Sequence, residues 1–345
     1  MLAQKKPHEK TQSNKTSVRS KALVLFSGGL DSTLVLKLLI SEGVNVEAVT
    51  FVTPFCPQSN ELDQEFCKDV GVKLHRIFLG EEFLEIVMNP RHGYGSRMNP
   101  CIDCRILMLK KAKQLADHIG ADFLATGEVL NERPFSQRED ALFLIEKKAD
   151  LQGKILRPLS AKLLPETDAE KSGLIQREKM LDMEGRRRLR QFELAKALEV
   201  QDYPNPSGGC LLTEPRFSER LKEHLSHEDH LTLLDADLLK IGRHFRVDDL
   251  KVIVGRDKKE NEKLTSMAEK NGLSMMEVEG FMGPVTVFKG KPREATKKKV
   301  ARIAVRYSDA PRKESAKIKL KIPLNGEEIL EEAVTDENEF ADCMI

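Results

Sequence analysis

The 345-residue chain has no tryptophan, three tyrosines and an aromatic content of 5%, too little to build the stacked-base platform of RNP-type RNA readers. It has no apolar run of ~18 or more residues, which argues against a transmembrane helix. Its first 21 residues are polar and lysine-bearing, without the apolar core of a signal peptide. A cytoplasmic protein without a membrane partner is the expectation. Net charge is nearly absent too: 56 Lys and Arg against 55 Asp and Glu leave +1. Any nucleic-acid surface must therefore come from local clustering. Six cysteines without a secretory signal read as free thiols, catalytic thiols or metal ligands rather than as a disulfide framework.

What is present begins with Ser27-Gly28-Gly29-Leu30-Asp31-Ser32, between a hydrophobic strand over 22–26 and an apolar-faced helix from about Thr33. A strand, a Gly-rich turn and a helix present backbone N–H groups and a positive helix end to an anion, and paired glycines let the backbone approach a phosphate closely. Ser27 and Ser32 add hydroxyl donors. Asp31 would repel a bare phosphate, so its place in the loop points to a bound Mg²⁺ bridging it to a polyphosphate. No GK[ST] follows, so this is not a Walker A loop.

The length exceeds one domain of ~100 to 200 residues. Strands over 22–26, 46–52, 74–79 and 122–126 alternate with helices over 32–42, 60–70 and 104–119, a pattern that predicts an α/β, doubly wound parallel sheet with ligands at the carboxyl ends of its strands. Residues 179–198 read as a charged helix containing Arg186-Arg187-Arg188-Leu189-Arg190. Beyond it, short strands interrupted by Gly and Pro predict a smaller β-rich C-terminal domain. The expected division is a disordered tail over 1–20, a catalytic domain over 21–235, a small β-rich domain over 236–325 and a loose acidic tail over 326–345.

Cys101-Ile102-Asp103-Cys104 follows Asn99-Pro100 at a predicted helix N-terminus, where the helix dipole favours a thiolate. A CxxC alone fits a buried pair, a redox pair or half a metal site. Cys210 follows two glycines in a proline-rich turn, poor core material that lets backbone approach a ligand. Three thiolates, Cys101, Cys104 and Cys210, make a coherent ligand-set hypothesis. Cys67 reads as core and Cys343 as terminal tail, while Cys56, after the second strand and near where an α/β ligand would lie, is ambiguous between a ligand-side and a structural cysteine, the structural reading favoured.

The hexapeptide at 27–32 after a strand resembles the PP-loop of the ATP pyrophosphatase superfamily. Combined with Asn-Pro-Cys-Ile-Asp-Cys, Ala-Thr-Gly-Glu-Val-Leu-Asn-Glu-Arg-Pro-Phe-Ser-Gln from Ala125 and the late Pro-Ser-Gly-Gly-Cys, the chain over most of 22–225 is similar to sulfur-inserting PP-loop enzymes that thiolate transfer RNA. The resemblance implies ATP cleavage between the α and β phosphates, with Ser27, Gly28, Gly29, Asp31, Ser32, Thr126 and Gly127 on ATP and Mg²⁺. A base carbonyl would be adenylated and then displaced by sulfur. In one branch of these enzymes a CxxC and a distal cysteine hold a [4Fe-4S] cluster, which puts Cys101, Cys104 and Cys210 on it; in another, two cysteines work as persulfide and disulfide. The implied partners are tRNA and a sulfide or persulfide carrier, and a homodimer is left open.

Glu128 stands where thiouridylases often carry a Gly-His pair, and a carboxylate cannot reproduce a neutral imidazole donor. Arg133 and Gln137 lie near that strand end in the chain. Arg157-Pro158-Leu159 resembles a PP-loop element whose arginine faces phosphate or RNA. The arginine run 186–190 and the basic stretch 289–306 supply local charge for an RNA backbone, and Gly242-Arg243-His244-Phe245 is a candidate grip, with His244 and Phe245 equally readable as core and rim residues. A PP-loop ligase or sulfurtransferase acting on a small molecule, and a non-enzymatic ATP or cluster sensor, are the alternative readings.

Overall fold

The computed structural model describes residues 20–56, 60–200, 203, 209–311, 314–323, 326–333 and 339–345. The predicted N-terminal tail and the core of the proline-rich turn before Gly209 lie outside them. Elements run β1 (Lys21–Leu25), α1 (Leu30–Ser41), β2 (Asn45–Val52), α2 (Asn60–Asp69), β3 (Lys73–Phe78), α3 (Glu81–Met88), α4 (Cys101–Ile119), β4 (Phe123–Thr126), α5 (Glu139–Ala149), β5 (Ile155–Leu156), α6 (Asp168–Lys171) and α7 (Leu189–Ala197). Then follow α8 (Pro215–His227), α9 (Leu233–Leu238), β6 (Arg243–Val247), β7 (Leu250–Val254), α10 (Lys258–Asn271), β8 (Ser274–Val278), β9 (Thr286–Phe288), α11 (Glu294–Arg306), β10 (Ala316–Ile322) and β11 (Gly326–Glu332). Among the described residues no helix is long and apolar enough to cross a membrane.

The chain separates into two compact units that do not follow its order: residues 1–50, 59–76 and 108–206 form one, and residues 51–58, 77–107 and 207–345 the other. A cut near 235 is thus not where it divides. The first unit carries the sheet of order β3-β2-β1-β4-β5, with β1 parallel to β2 and β4 and β4 parallel to β5. The central strands β1 and β4 read as near-continuous apolar runs because both faces are covered, whereas the edge strand β3 is largely polar and exposed. Ala22, Val24, Leu34, Val35, Leu39, Ala48 and Ala125 meet in one core. The chain reverses its direction of winding between β1 and β4, and the carboxyl ends of those two strands are where an α/β sheet opens a crevice. Residues 180–188, expected in a long helix, precede α7 in non-helical backbone.

The second unit holds a six-stranded antiparallel sheet of order β11-β10-β8-β9-β7-β6. Alternate residues face opposite ways: Val252, Val254, Met276 and Val278 pack with Val300, Ala301 and Ala304 of α11, whereas Ile253 and Met275 pack with Leu264 and Ala268 of α10. The expected β-rich domain is therefore a sheet covered by a helix on each face. The acidic segment is not a loose tail, since β11 pairs with β10 along its length, Lys319 and Lys297 reach Glu327 and Glu328 at 2.8 and 2.9 Å, and Phe340 is buried. His244 and Phe245, offered as an RNA grip, are core residues at 0% and 1% exposure.

Candidate functional site

In the first unit, β1 ends in a loop turned by Gly28 at φ 71°, a conformation cheap only for glycine. The loop closes on itself: Ser32 Oγ donates to the Gly29 carbonyl at 3.0 Å, and the Ser27 and Ser32 hydroxyls lie 3.2 Å apart. Gly29 caps α1 without a side-chain acceptor, so the N–H groups of the first turn remain without intrahelical partners. From the end of β4, Gly127 packs so closely that a Cβ there would sit 2.6 Å from the Ser32 nitrogen. Glycine at 127 is thus what allows β4 to meet the start of α1, and it brings the two sequence segments singled out for a nucleotide to one place.

Asp31 is held in an environment the sequence did not reveal. Burial, then the charge of Glu132, raise its carboxyl to about 6, against the pull of Arg188 and Arg133. Arg188 donates to Glu132 Oε1 through Nε at 3.0 Å and Nη2 at 2.6 Å, and its Nη2 lies 3.7 Å from Asp31 Oδ2. Asp31 Oδ1 and Glu132 Oε2 are buried without a hydrogen-bond partner. Arg188 therefore leaves the supposed RNA-facing run, and Arg190 is engaged by Asp182 at 2.5 Å.

Thr126 donates its hydroxyl to Glu128 at 3.1 Å. Glu128 and Glu146 together hold Arg157, at 3.0 and 2.5 Å, in a network where Arg157 is 3% exposed. Arg157 consequently faces neither phosphate nor RNA, and Glu128 serves as its buried counter-ion. Arg157→Ala would strand two buried carboxylates, so it is expected to cost about 3 to 5 kcal/mol; urea denaturation of the variant measures it.

The candidate thiols Cys56, Cys101, Cys104 and Cys210 lie in the second unit. Residues 92–99 are tied over the start of α4: the His92 backbone N–H and Nδ1 meet Asp103 at 3.0 and 2.8 Å, and Asn99 Nδ2 donates to Cys101 Sγ at 3.1 Å. Despite the helix N-terminus, burial pushes the Cys104 thiol up to about 12. The acidic thiol lies in a different pair, Cys56 with Cys210. The hydrogen bond from Cys210 holds Cys56 down to about 6, Thr53 and the charge of Arg105 adding to that, while Cys210 is raised well above its ordinary value.

Backbone fixes this pair, since the Leu211 N–H donates to the Phe55 carbonyl at 2.9 Å. The Phe55 ring is wedged against Phe83 and Phe217 at centroid distances of 6.1 and 5.6 Å. Cys56, ambiguous from the sequence, is thus the partner of Cys210. Cys104 lies within electrostatic reach of Cys56 and Cys101, yet among the described residues no group of three or more Cys, His, Asp or Glu is arranged to hold a metal ion. Cys67 is buried core, its thiol pushed up to about 12 by burial. Cys343 packs beside the C-terminal core.

Comparison with known proteins gives two family matches. Residues 17–163 match the model described as thiamine biosynthesis protein (ThiI), and residues 242–342 match that described as NFACT protein RNA binding domain. A tRNA-specific 2-thiouridylase MnmA of Syntrophotalea carbinolica is 31% identical over 177 residues, 44% of this chain and 50% of its own length. One from Pseudomonas fluorescens is 27% identical over 240 residues, 66% and 61% of the two chains. This chain thus spans about half to three-fifths of these relatives. A solved 4-thiouridine synthetase–RNA complex with bound ATP aligns at TM-score 0.36 and 21% identity, over 64% of this chain and 52% of that one.

Proposed function

We propose that this chain, whose PP-loop domain is of the ThiI- and MnmA-like superfamily, is an ATP-dependent tRNA sulfurtransferase that adenylates a base carbonyl and exchanges its oxygen for sulfur, releasing AMP and pyrophosphate. The observation that carries the reading is the pairing of the Cys56 thiolate with Cys210 in a chain that also bears a phosphate cradle with orphaned carboxylates. The first-turn N–H groups of α1 and the Ser27 and Ser32 hydroxyls take the phosphates. Asp31 Oδ1 and Glu132 Oε2 are hard donors lacking a partner, so they fit a magnesium ion, which supplies neutralisation of charge on the departing pyrophosphate. Arg188 holds Glu132 in place through two hydrogen bonds.

The sulfur step is read on thiols, because Cys56 and Cys210 are the directly hydrogen-bonded pair; a cluster on Cys101, Cys104 and Cys210 is the second reading. The Cys56 thiolate takes the outer sulfur of a persulfide donor, releasing the donor thiol. The terminal sulfur then attacks the adenylated carbon and AMP leaves, joining base to Cys56 through two sulfurs. Cys210 attacks the Cys56 sulfur, freeing the thiolated base and leaving a Cys56–Cys210 disulfide that an external dithiol reduces.

Pyrophosphate release stimulated by tRNA tests the function. Release independent of RNA would favour a small-molecule ligase, and no release would favour an ATP sensor. Anaerobically purified protein with little iron is expected to work with a persulfide donor; activity that tracks about one [4Fe-4S] per chain would return Cys101, Cys104 and Cys210 to a cluster.

Glycine at 127 gives a further expected outcome. Gly127→Ala forces a Cβ into the Asp31 and Ser32 backbone, so it should weaken ATP binding at least tenfold while leaving thiol reactivity unchanged. Isothermal titration with ATP and thiol counting read the two.

A further inference from the structure

Cations in the second unit are of two kinds. Along α11, Lys297 is held by Glu294 and Glu328 at 2.7 and 2.9 Å, Lys299 by Asp248 at 2.8 Å and Arg302 by Glu339 at 2.6 Å. These three cations of the basic stretch, which sequence reading offers to RNA, are compensated from within the fold.

The other kind lies on α8. Arg216 and Arg220 are four residues apart on one helical face, and among the described residues neither makes an ion pair. Arg216 is exposed and Arg220 half-buried. Arg220 Nη1 donates to the Leu239 carbonyl at a long 3.4 Å. Burial lowers the proton affinity of Arg220, Arg256 and Arg216 lower it further, and Glu214 and Glu260 only partly offset them. By contrast Arg157, Arg188 and Arg256 are all shifted up, each beside carboxylate partners. A partly desolvated guanidinium crowded by like charge is costly until an anion arrives, and its planar fork matches two phosphate oxygens.

We propose that Arg220, with Arg216 on the same face of α8, binds a phosphate of the RNA backbone. This site lies outside both segments that match family models, and it rests on the tRNA reading above. It places an RNA contact on the helix that follows the Cys210 segment rather than on the lysines of α11.

The test is binding of fluorescently labelled tRNA across a salt series, by the whole chain and its variants. Arg220→Gln is expected to weaken binding about tenfold at ~0.1 M salt and to reduce the slope of log K against log salt by about one. Lys299→Gln should change binding less than twofold. If Arg220→Gln fails to fold by circular dichroism, Arg216→Glu at its exposed position carries the test, with at least a threefold loss expected. Unchanged affinity and slope in the folded variants overturn the site. So does a thermal shift with inorganic phosphate that Arg220→Gln abolishes without any effect on tRNA, since the site would then serve a free anion. Wild-type protein that binds no tRNA at low salt refutes the tRNA reading itself, whereas wild-type binding untouched by these substitutions refutes only the phosphate site.

Discussion

Asp31→Asn is expected to lower AMP and pyrophosphate formation by at least a factor of about 10³, roughly 4 kcal/mol of lost transition-state stabilisation, while making the nucleotide-free protein more stable at neutral pH. Both effects have one cause. The Asp31 carboxyl is raised to about 6, so the folded state binds its proton more tightly than the unfolded chain does. Stability from this group is present below pH 3.8, falls as pH rises between 3.8 and about 6, and is gone above it. The ionised carboxylate therefore costs the empty site up to about 3 kcal/mol at neutral pH, an amount that metal and nucleotide would offset. Asparagine removes the charge and with it both the cost and the proposed metal ligand. Melting temperature should rise by several degrees above pH 6, with no gain at pH 4. A variant that keeps normal turnover and metal dependence would remove Asp31 from the site.

Cys56→Ala and Cys210→Ala should each abolish sulfur transfer, by at least a factor of about 10³, yet leave pyrophosphate release measurable because the phosphate loop is built from other residues. They should differ in trapping behaviour. With Cys56 as the thiolate, alkylation of the wild type at pH 7 is expected mainly at Cys56. In Cys210→Ala that selectivity should fade, because the hydrogen bond that lowers Cys56 is gone. Peptide mass spectrometry after brief iodoacetamide treatment reads this directly. Cys104, pushed up to about 12, should remain the slower thiol. Full sulfur transfer by Cys210→Ala would end its catalytic role, whether with thiols or with a cluster.

The parts legible in the sequence are those with local causes. Alternating apolar strands and amphipathic helices announce β1, the glycine turn and α1, because each needs only its neighbours in the chain. The lysines of α11 hide a helix: the spacing of Val300, Ala301 and Ala304 on one buried face was the signal, and Lys297, Lys298 and Lys299 obscured it. β11 escaped notice because its register is set by a partner strand, β10, whose Lys319 meets its Glu327.

The candidate site divides the same way. Ser27 to Ser32 and Gly127 are readable from a loop that only a strand and a helix explain. Glu132, Arg188 and Cys56 are not, since each acquires its role from a distant partner. Arg188 sits in a run of four arginines that looks uniform, and only the fold gives it two hydrogen bonds to Glu132. Cys56 meets Cys210 about 150 residues later. Arg157 misled in the opposite direction, because a charged residue before a loop reads as surface until two buried carboxylates claim it.

Mass spectrometry of nucleosides from unmodified tRNA, incubated with this chain, ATP, Mg²⁺ and a persulfide donor, tests the central claim most directly. The account predicts a uridine heavier by the exchange of oxygen for sulfur, formed one for one with pyrophosphate and lost in both Asp31→Asn and Cys56→Ala. Pyrophosphate release that tRNA does not stimulate, with no thiolated nucleoside in the digest, would contradict it.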